Sequence, residues 1–403
     1  MIAVLALVLT ALAGVVAAGP RVEWTATFGG PFDDRGGAVV RTAAGGFAIA
    51  GSTKDSSTLK TDVYVLQVDS AGQNVWSRAY GGADDDEACA IQPAGDGFVV
   101  AGSTRSFGAG QRDIWLIWIG ASGEMLRTAT FGGAGDEELC GMARASGRGY
   151  LLAAASRPSG PTAHVWLLRL NEDGKVMWTR SYRDGGVPNG VCAARDGGWF
   201  VYGTRSGEEE GEASGFVDKL DSLGNRQWIG YMVQGDFAET EAVLGLDDGG
   251  CVVAGSRGSY GSGSWMTADR FDAKGERVWY EGCGVDYPNE YRGKSERGTA
   301  VVRASSGDLV VAGWTRSDTM PSANVCVTGM DCGVRSCGRW FWTMAGTTWL
   351  PPLSRRRTAV SWSLALLRRK GATTHVLRSY GPDAEPARPA WRRGRSGSRT
   401  GLV

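Results

Sequence analysis

An all-β repeat fold is what the sequence predicts, and three observations predict it. A unit of about 51 residues recurs along the chain. Its inner phrase reads GGFAIAGST from Gly45, DGFVVAGST from Asp96, GGWFVYGTR from Gly197, GGCVVAGSR from Gly249 and GDLVVAGWT from Gly307, with GYLLAAASR from Gly149 as a weaker copy. Each unit holds four short runs of strand character, separated by Gly-containing turns. No run is long enough for an ordinary helix, and a 3.6-residue period is absent. Four strands per repeat of this length is the pattern of a β-propeller, a ring of four-stranded blades.

The elements follow in order. Residues 1–18 (MIAVLALVLTALAGVVAA) are apolar and end in small residues, as a secretory signal cleaved near Ala18 does. No Lys or Arg opens the segment, so a retained N-terminal anchor is the other reading. Nothing else in the chain reads as a membrane span. Residues 19–331 carry the propeller. A lone outer strand, Val22 to Phe28, comes first. Complete units then begin near residues 33, 84, 135, 187, 238 and 296. In the second, the strands are read as Glu87–Pro93, Gly97–Thr104, Asp113–Ile119 and Glu124–Phe131. Six complete blades and an orphan outer strand call for a seventh blade at the C-terminus, closed by the N-terminal strand, because closure removes bare edges. The outer strand carries the most regular mark: Trp24, Trp76, Trp178, Trp228 and Trp279, with Arg127 in the slot once. A large ring at a fixed place is expected to pack between blades, its indole N–H bonded to a neighbour. A carbohydrate-stacking platform is the alternative.

Residues 332–403 break the pattern and turn rich in Arg, Trp, Pro and Ser. Back-translation gives a sharper reading than a basic disordered tail. Joining the third base of each codon to the first two of the next, Phe341–Trp342–Thr343 forces Leu and Asp, and Met344–Ala345 forces Gly. Thr358 through Leu366 can then read D-G-G-I-V-V-A-G-S, the inner phrase. The tail is therefore expected to be an out-of-frame remnant of blade seven. A diverged but real blade is the rival, because Ser361 to Gly381 resembles a third and fourth strand.

Composition excludes some functions. The 43 basic and 43 acidic residues balance, so no net field draws nucleic acid or an anionic membrane. Cys89, Cys140 and Cys192 are read as one repeat apart, where Gly37 and Thr299 stand in other units. That places a small side chain at a tight contact, in preference to a disulfide framework.

The run WSRAYGGADDDE (Trp76 to Glu87), followed by AGST (Ala101 to Thr104) and DIWL (Asp113 to Leu116), resembles the secreted bacterial and archaeal seven-bladed β-propeller repeat proteins of the SBBP type. The resemblance covers about residues 22–331. It implies architecture and export, and it implies no chemistry.

Candidate chemistry gathers on one face. An acidic burst recurs between units: Asp33–Asp34, Asp84–Glu87, Asp136–Glu138 and Glu239–Glu241. A cation follows each inner phrase: Lys54, Arg105, Arg157, Arg205, Arg257 and Arg316. Two readings are open. The acids pair with Arg and cap turn N–H groups, or Asp34, Asp85, Glu137 and Glu239 belong to a cation site, Ca²⁺ by ligand chemistry. The longest insertion, Gly282 to Gly298, brings Asp286, Tyr287, Glu290, Tyr291 and Arg292 over the same face as candidate ligand-binding residues. Two histidines, and no nucleophile elbow, HExxH or CxxC pair, argue against an enzyme. The expected function is an exported, non-enzymatic module that binds a protein or carbohydrate, or assembles at a surface, through this face. A propeller hydrolase or lyase using channel-facing carboxylates is the alternative. A truncated, non-functional product is a third possibility.

Overall fold

The computed structural model describes residues 2–8, 21–30, 32–55, 57–145, 149–158, 162–183, 186–206, 213–232, 237–259, 263–283, 295–304, 307–317, 320–330, 336–343, 346–349, 363–368 and 374–376. These residues form strands and connections and contain no helix. The first three repeats give one four-stranded antiparallel sheet each: Arg35–Arg41, Phe47–Lys54, Thr61–Val68 and Asn74–Tyr80; Asp86–Ala94, Gly97–Thr104, Asp113–Ile119 and Met125–Phe131; Asp136–Arg144, Tyr150–Arg157, His164–Leu170 and Val176–Tyr182. The fourth (Gly186–Ala193, Trp199–Ser206, Ala213–Leu220, Arg226–Met232) and fifth (Phe237–Gly245, Cys251–Ser259, Gly263–Phe271, Arg277–Gly282) repeat the order and are joined by one parallel contact, Ala213 to Phe237. The sixth (Ser295–Arg303, Leu309–Ser317, Met320–Met330, Ser336–Thr343) adds a fifth strand, Gly346–Trp349.

The first strands of successive units pack on one another, so they form an inner wall. Second and third strands are covered on both faces by neighbouring units, which is why Gly97–Thr104 and Asp113–Ile119 are buried at every position. In the first three units the fourth strands face outward and are mostly exposed.

Each first strand carries a bulge. The extra residues are Gly37, Cys89, Cys140, Asn189, Glu241 and Thr299. The bulge presses a carbonyl onto the second strand. A Cβ on Gly102 would lie 1.8 Å from the Glu87 oxygen, and one on Gly255 would lie 1.9 Å from that of Glu239. This close approach explains the glycine of the A-G-S-T phrase. Unit three, the weaker copy, has Ala154 there. The bulges also correct one reading of the cysteines. Cys89 and Cys140 are equivalent, but Asn189 holds that place in unit four, and Cys192 lies three residues further along the strand.

Three of the outer tryptophans join units through the indole N–H as the sequence predicts, whereas the indole N–H of Trp279 is buried without a partner among the described residues. Trp24, Trp76 and Trp228 donate their indole N–H to the carbonyls of Ser70, Ala121 and Ala273, each at 2.9 Å, in the last hairpin turn of the following unit. The ring lies on that turn's glycine. Gly275 has φ +85°, and a Cβ there would meet Trp228 at 2.7 Å. Glycine is thus required twice, for backbone and for space. Where Arg127 replaces the tryptophan, it bonds the carbonyls of Glu172 and Asp173 and stacks 3.6 Å over Trp118, whose ring covers Gly174 instead. A buried ring of this size removes roughly 150–250 Å² from water.

The terminal strands form a sixth sheet in the order Arg21–Phe28, Ile2–Val8, Ser363–Arg368, Thr374–Val376. Ser363–Arg368 packs on the first strand of unit one, and Thr374–Val376 on the second strand of unit six.

Candidate functional site

The acidic bursts sit where each fourth strand passes to the next first strand. Their innermost members are structural caps. Asp34 (1% exposed) accepts the Gly30 N–H at 2.9 Å and the Thr53 hydroxyl. Asp86 accepts the Gly82 N–H at 2.9 Å and the Ser106 hydroxyl at 2.8 Å. Glu137 accepts the Gly133 N–H at 2.9 Å and the Ser156 hydroxyl at 3.1 Å. Each closes its connection by satisfying a turn donor that would otherwise lack a partner. Asp85 accepts the Thr61 N–H at 2.9 Å. A second carboxylate flanks the same connections: buried Asp113 accepts the N–H groups of Ala109 and Gly110, and half-buried Asp62 lies beside Gly81. Burial, then the charge of Asp86, raises the Asp62 carboxyl above its ordinary range.

The four residues read as cation ligands are therefore not brought to one point. Asp34 and Glu137 are equivalent caps in separate units, Asp85 lies one residue before the cap of unit two, and Glu239 lies one residue after the equivalent position in unit five. Among the described residues, no group of three or more His, Cys, Asp or Glu is placed to hold a metal ion.

Along the inner wall, acids and arginines alternate between units. Arg35 lies 3.8 Å from Glu87, and Glu138 lies 3.2 Å from Arg112 and 3.7 Å from Arg157. Arg297 of unit six pairs with Glu239 of unit five and lies 3.2 Å from Glu241. Two of the predicted ring cations point elsewhere. Arg205 donates to the Tyr231 hydroxyl at 2.8 Å. Arg257 is 2% exposed and pairs inside unit five with Asp269, itself 0% exposed.

Sequence reasoning missed these buried pairs. One unit earlier the equivalent Asp218 pairs instead with Arg226 of the fourth strand at 2.7 Å, as Arg277 approaches Asp269 at 3.8 Å, and Lys219 (2% exposed) reaches Asp196 at 2.7 Å. The signal was present as a charge inside an apolar third strand, in FVDKL and MTADRF.

Glu241, the bulge residue of unit five, is the most perturbed acid of the inner wall. Burial pushes the Glu241 carboxyl up to about 7, although the Arg297 guanidinium lies 3.2 Å away. A folded-state value above the ordinary 4.5 means that the protonated form favours folding. That contribution is complete below pH 4.5 and is lost as pH rises through about 7. Glu241→Gln stays neutral, so its stability relative to wild type should improve by about 3 kcal/mol between acid and mildly alkaline pH. Urea midpoints at both ends of the range measure this, and parallel pH profiles would contradict it.

Asp286, Tyr287, Glu290, Tyr291 and Arg292 lie outside the described residues. The roots of their insertion are placed. Cys283 is buried, its carbonyl accepting the Thr328 hydroxyl at 2.7 Å, and Arg297 follows shortly after the far root. The insertion therefore springs from the end of the inner wall that holds Glu239 and Glu241.

No protein-family model matches the chain, and no curated protein matches it. Some solved structures show a partial likeness to the chain. A protein of unknown function from Bacteroides caccae is 14% identical with a TM-score of 0.44, over 69% of this chain and 93% of that one. A lignostilbene dioxygenase from Pseudomonas brassicacearum is 12% identical with a TM-score of 0.43, over 83% and 86%. An endo-arabinase from Bacteroides thetaiotaomicron is 11% identical with a TM-score of 0.33, over 60% and 90%. These likenesses say nothing about activity. The architecture is all-β and propeller-like, as its own sheet order states.

Proposed function

We propose that the chain is an exported, non-enzymatic propeller that binds a protein or carbohydrate through the face carrying the acidic bursts and the Gly282–Gly298 insertion. The carrying observation is that Asp34, Asp86 and Glu137 are spent on turn N–H groups and hydroxyls, while Glu138 and Glu239 face arginines. A rigid wall with one long insertion suits recognition. One observation favours the alternative, a hydrolase or lyase: Glu241 is held near 7, where a general acid works best. Both readings are tested by offering the chain a panel of polysaccharides and a cell-surface extract. Binding lost on deletion of residues 284–294 supports the first. Product release lost in Glu241→Gln supports the second, and binding that survives the deletion sinks the first. A rise in Tm with added Ca²⁺ would support a cation site, and an unchanged Tm would remove it.

The same reading includes a seven-bladed ring of the SBBP type whose last blade is out of frame from about Cys332. Trp24 bonds Ser70 as Trp76 bonds Ala121, which supports an outer-strand role for Arg21–Phe28. In unit six, Gly338 pairs with Gly329 just before a register shift, as Trp76 pairs with Gln67 and Trp228 with Lys219. Gly338 thus stands in the tryptophan slot. The shifted codon across Cys337 and Gly338 is a pyrimidine followed by GG, which encodes only Trp or Arg. Those are the two residues that fill this slot elsewhere in the chain. Ile2–Val8 sits between Arg21–Phe28 and Ser363–Arg368, the place of a third strand. With the signal cleaved, the restored frame would have to supply that strand.

A further inference from the structure

We propose that Cys89 and Cys140 are a pair that closes slowly, on two-electron oxidation, into a disulfide joining the inner strands of units two and three. The two residues hold the same bulge position in successive units, and bulge positions of successive units nearly touch. Gly37 shows how closely: a Cβ there would lie 3.1 Å from the Cys89 Cα and 2.3 Å from the Ala88 oxygen. One unit on, the Cys89 thiol occupies that space and donates to the Leu139 carbonyl at 3.3 Å, on the peptide that leads into Cys140. The Cys140 thiol turns toward the Glu138 carbonyl at 3.4 Å, the adjacent peptide. Both side chains are only partly buried, on the inner wall, and both are free thiols here. A bridge needs Cα atoms roughly 4.4–6.8 Å apart, and the Cys89 thiol already reaches the peptide that carries Cys140. Among the described residues no other cysteine holds a bulge position, although Cys192 lies near Cys251. Asn189 takes the bulge in unit four, and its amide reaches the Thr240 carbonyl at 2.8 Å, as the Cys89 thiol reaches Leu139.

The oxidant is a small-molecule disulfide such as oxidised glutathione. A thiolate of the pair attacks it, its S–S bond breaks, and one reduced glutathione leaves. The second thiolate then displaces the other glutathione. Two thiols lose two protons and two electrons, and one disulfide is exchanged for another. Burial pushes Cys140 up to about 12 and raises Cys89 further, so closure is slow at neutral pH and should speed up about tenfold per pH unit toward alkaline.

The full chain, purified reduced, is equilibrated with oxidised glutathione, alkylated in denaturant and digested with trypsin. Cys89 and Cys140 fall on separate single-cysteine peptides, Ala79–Arg105 and Thr128–Arg144. The expected result is a species linking these two peptides, and a Tm on the order of 5 °C above that of the reduced chain. The gain should vanish in Cys89→Ser and in Cys140→Ser, and persist in Cys192→Ser. Recovery of both peptides fully alkylated, or linkage of either to a third cysteine, overturns the proposal. The linkage is read by mass, so a serine variant that folds poorly leaves the wild-type result decisive.

Discussion

A one-base restoration of the reading frame ahead of Cys332 should convert an aggregating chain into one that melts in a single cooperative transition, at a Tm at least ~10 °C higher. The size of the effect follows from what the written sequence leaves undone. Unit six ends in strands Ser336–Thr343 and Gly346–Trp349, and its outer-strand slot holds Gly338 where other units have an indole or guanidinium. The seam to a following unit therefore lacks the ring and the donor that hold Trp76 and Trp228 in place. The terminal sheet recruits Ile2–Val8, which falls within the proposed signal segment and would be lost if that segment is cleaved. Scanning calorimetry and light scattering on the two chains measure the difference. Equal melting and equal scattering would reject the frame hypothesis, as would a gene sequence that reads through as written.

Asp269→Ala should cost about 3–5 kcal/mol, read as a shift in urea midpoint. Arg257 and Asp269 are 2% and 0% exposed, so removing the carboxylate strands a guanidinium that water cannot reach. Burial raises the Asp269 carboxyl although Arg257 opposes it, so desolvation here outweighs attraction. That balance makes a second expectation. Replacing both partners by apolar residues of similar size, Arg257→Met with Asp269→Leu, should return stability to within about 1 kcal/mol of wild type. A double variant no better than Asp269→Ala would show that Arg257 works chiefly through other contacts, such as the Tyr280 ring 5.2 Å away.

The sequence made the repeat legible because its markers serve the backbone. The glycine of A-G-S-T is set by a carbonyl 1.8–2.0 Å from any Cβ at Gly51, Gly102, Gly203, Gly255 or Gly313. The tryptophan is set by the turn it covers. Positions free of such constraints drift, and counting by a fixed period misplaces them. Cys192 looked equivalent to Cys140 because the connection near Arg183 is short, which moves Asn189 into the bulge. Arg257 looked like a loop cation because its phrase matches the others, and only the charge of Asp269 inside an apolar strand separates it. The acids were legible as a once-per-unit feature. Their division into caps (Asp34, Asp86, Glu137) and wall residues (Glu87, Glu138, Glu239) was not, since neighbours in sequence point to opposite sides of a strand.

Arg127 and Trp118 show what the interchangeable part of this architecture is. At the seams of Trp24, Trp76 and Trp228 one residue both stacks and donates. Here the two jobs are divided between adjacent strands, with Trp118 over Gly174 and Arg127 bonding the carbonyls beside it. Grafting a whole repeat from elsewhere in the chain would keep one half of such a partnership and discard the other. The natural segment for transplantation runs from the last hairpin of one unit to the last hairpin of the next, so that each anchor travels with the strand that supports it and meets a turn of the same shape.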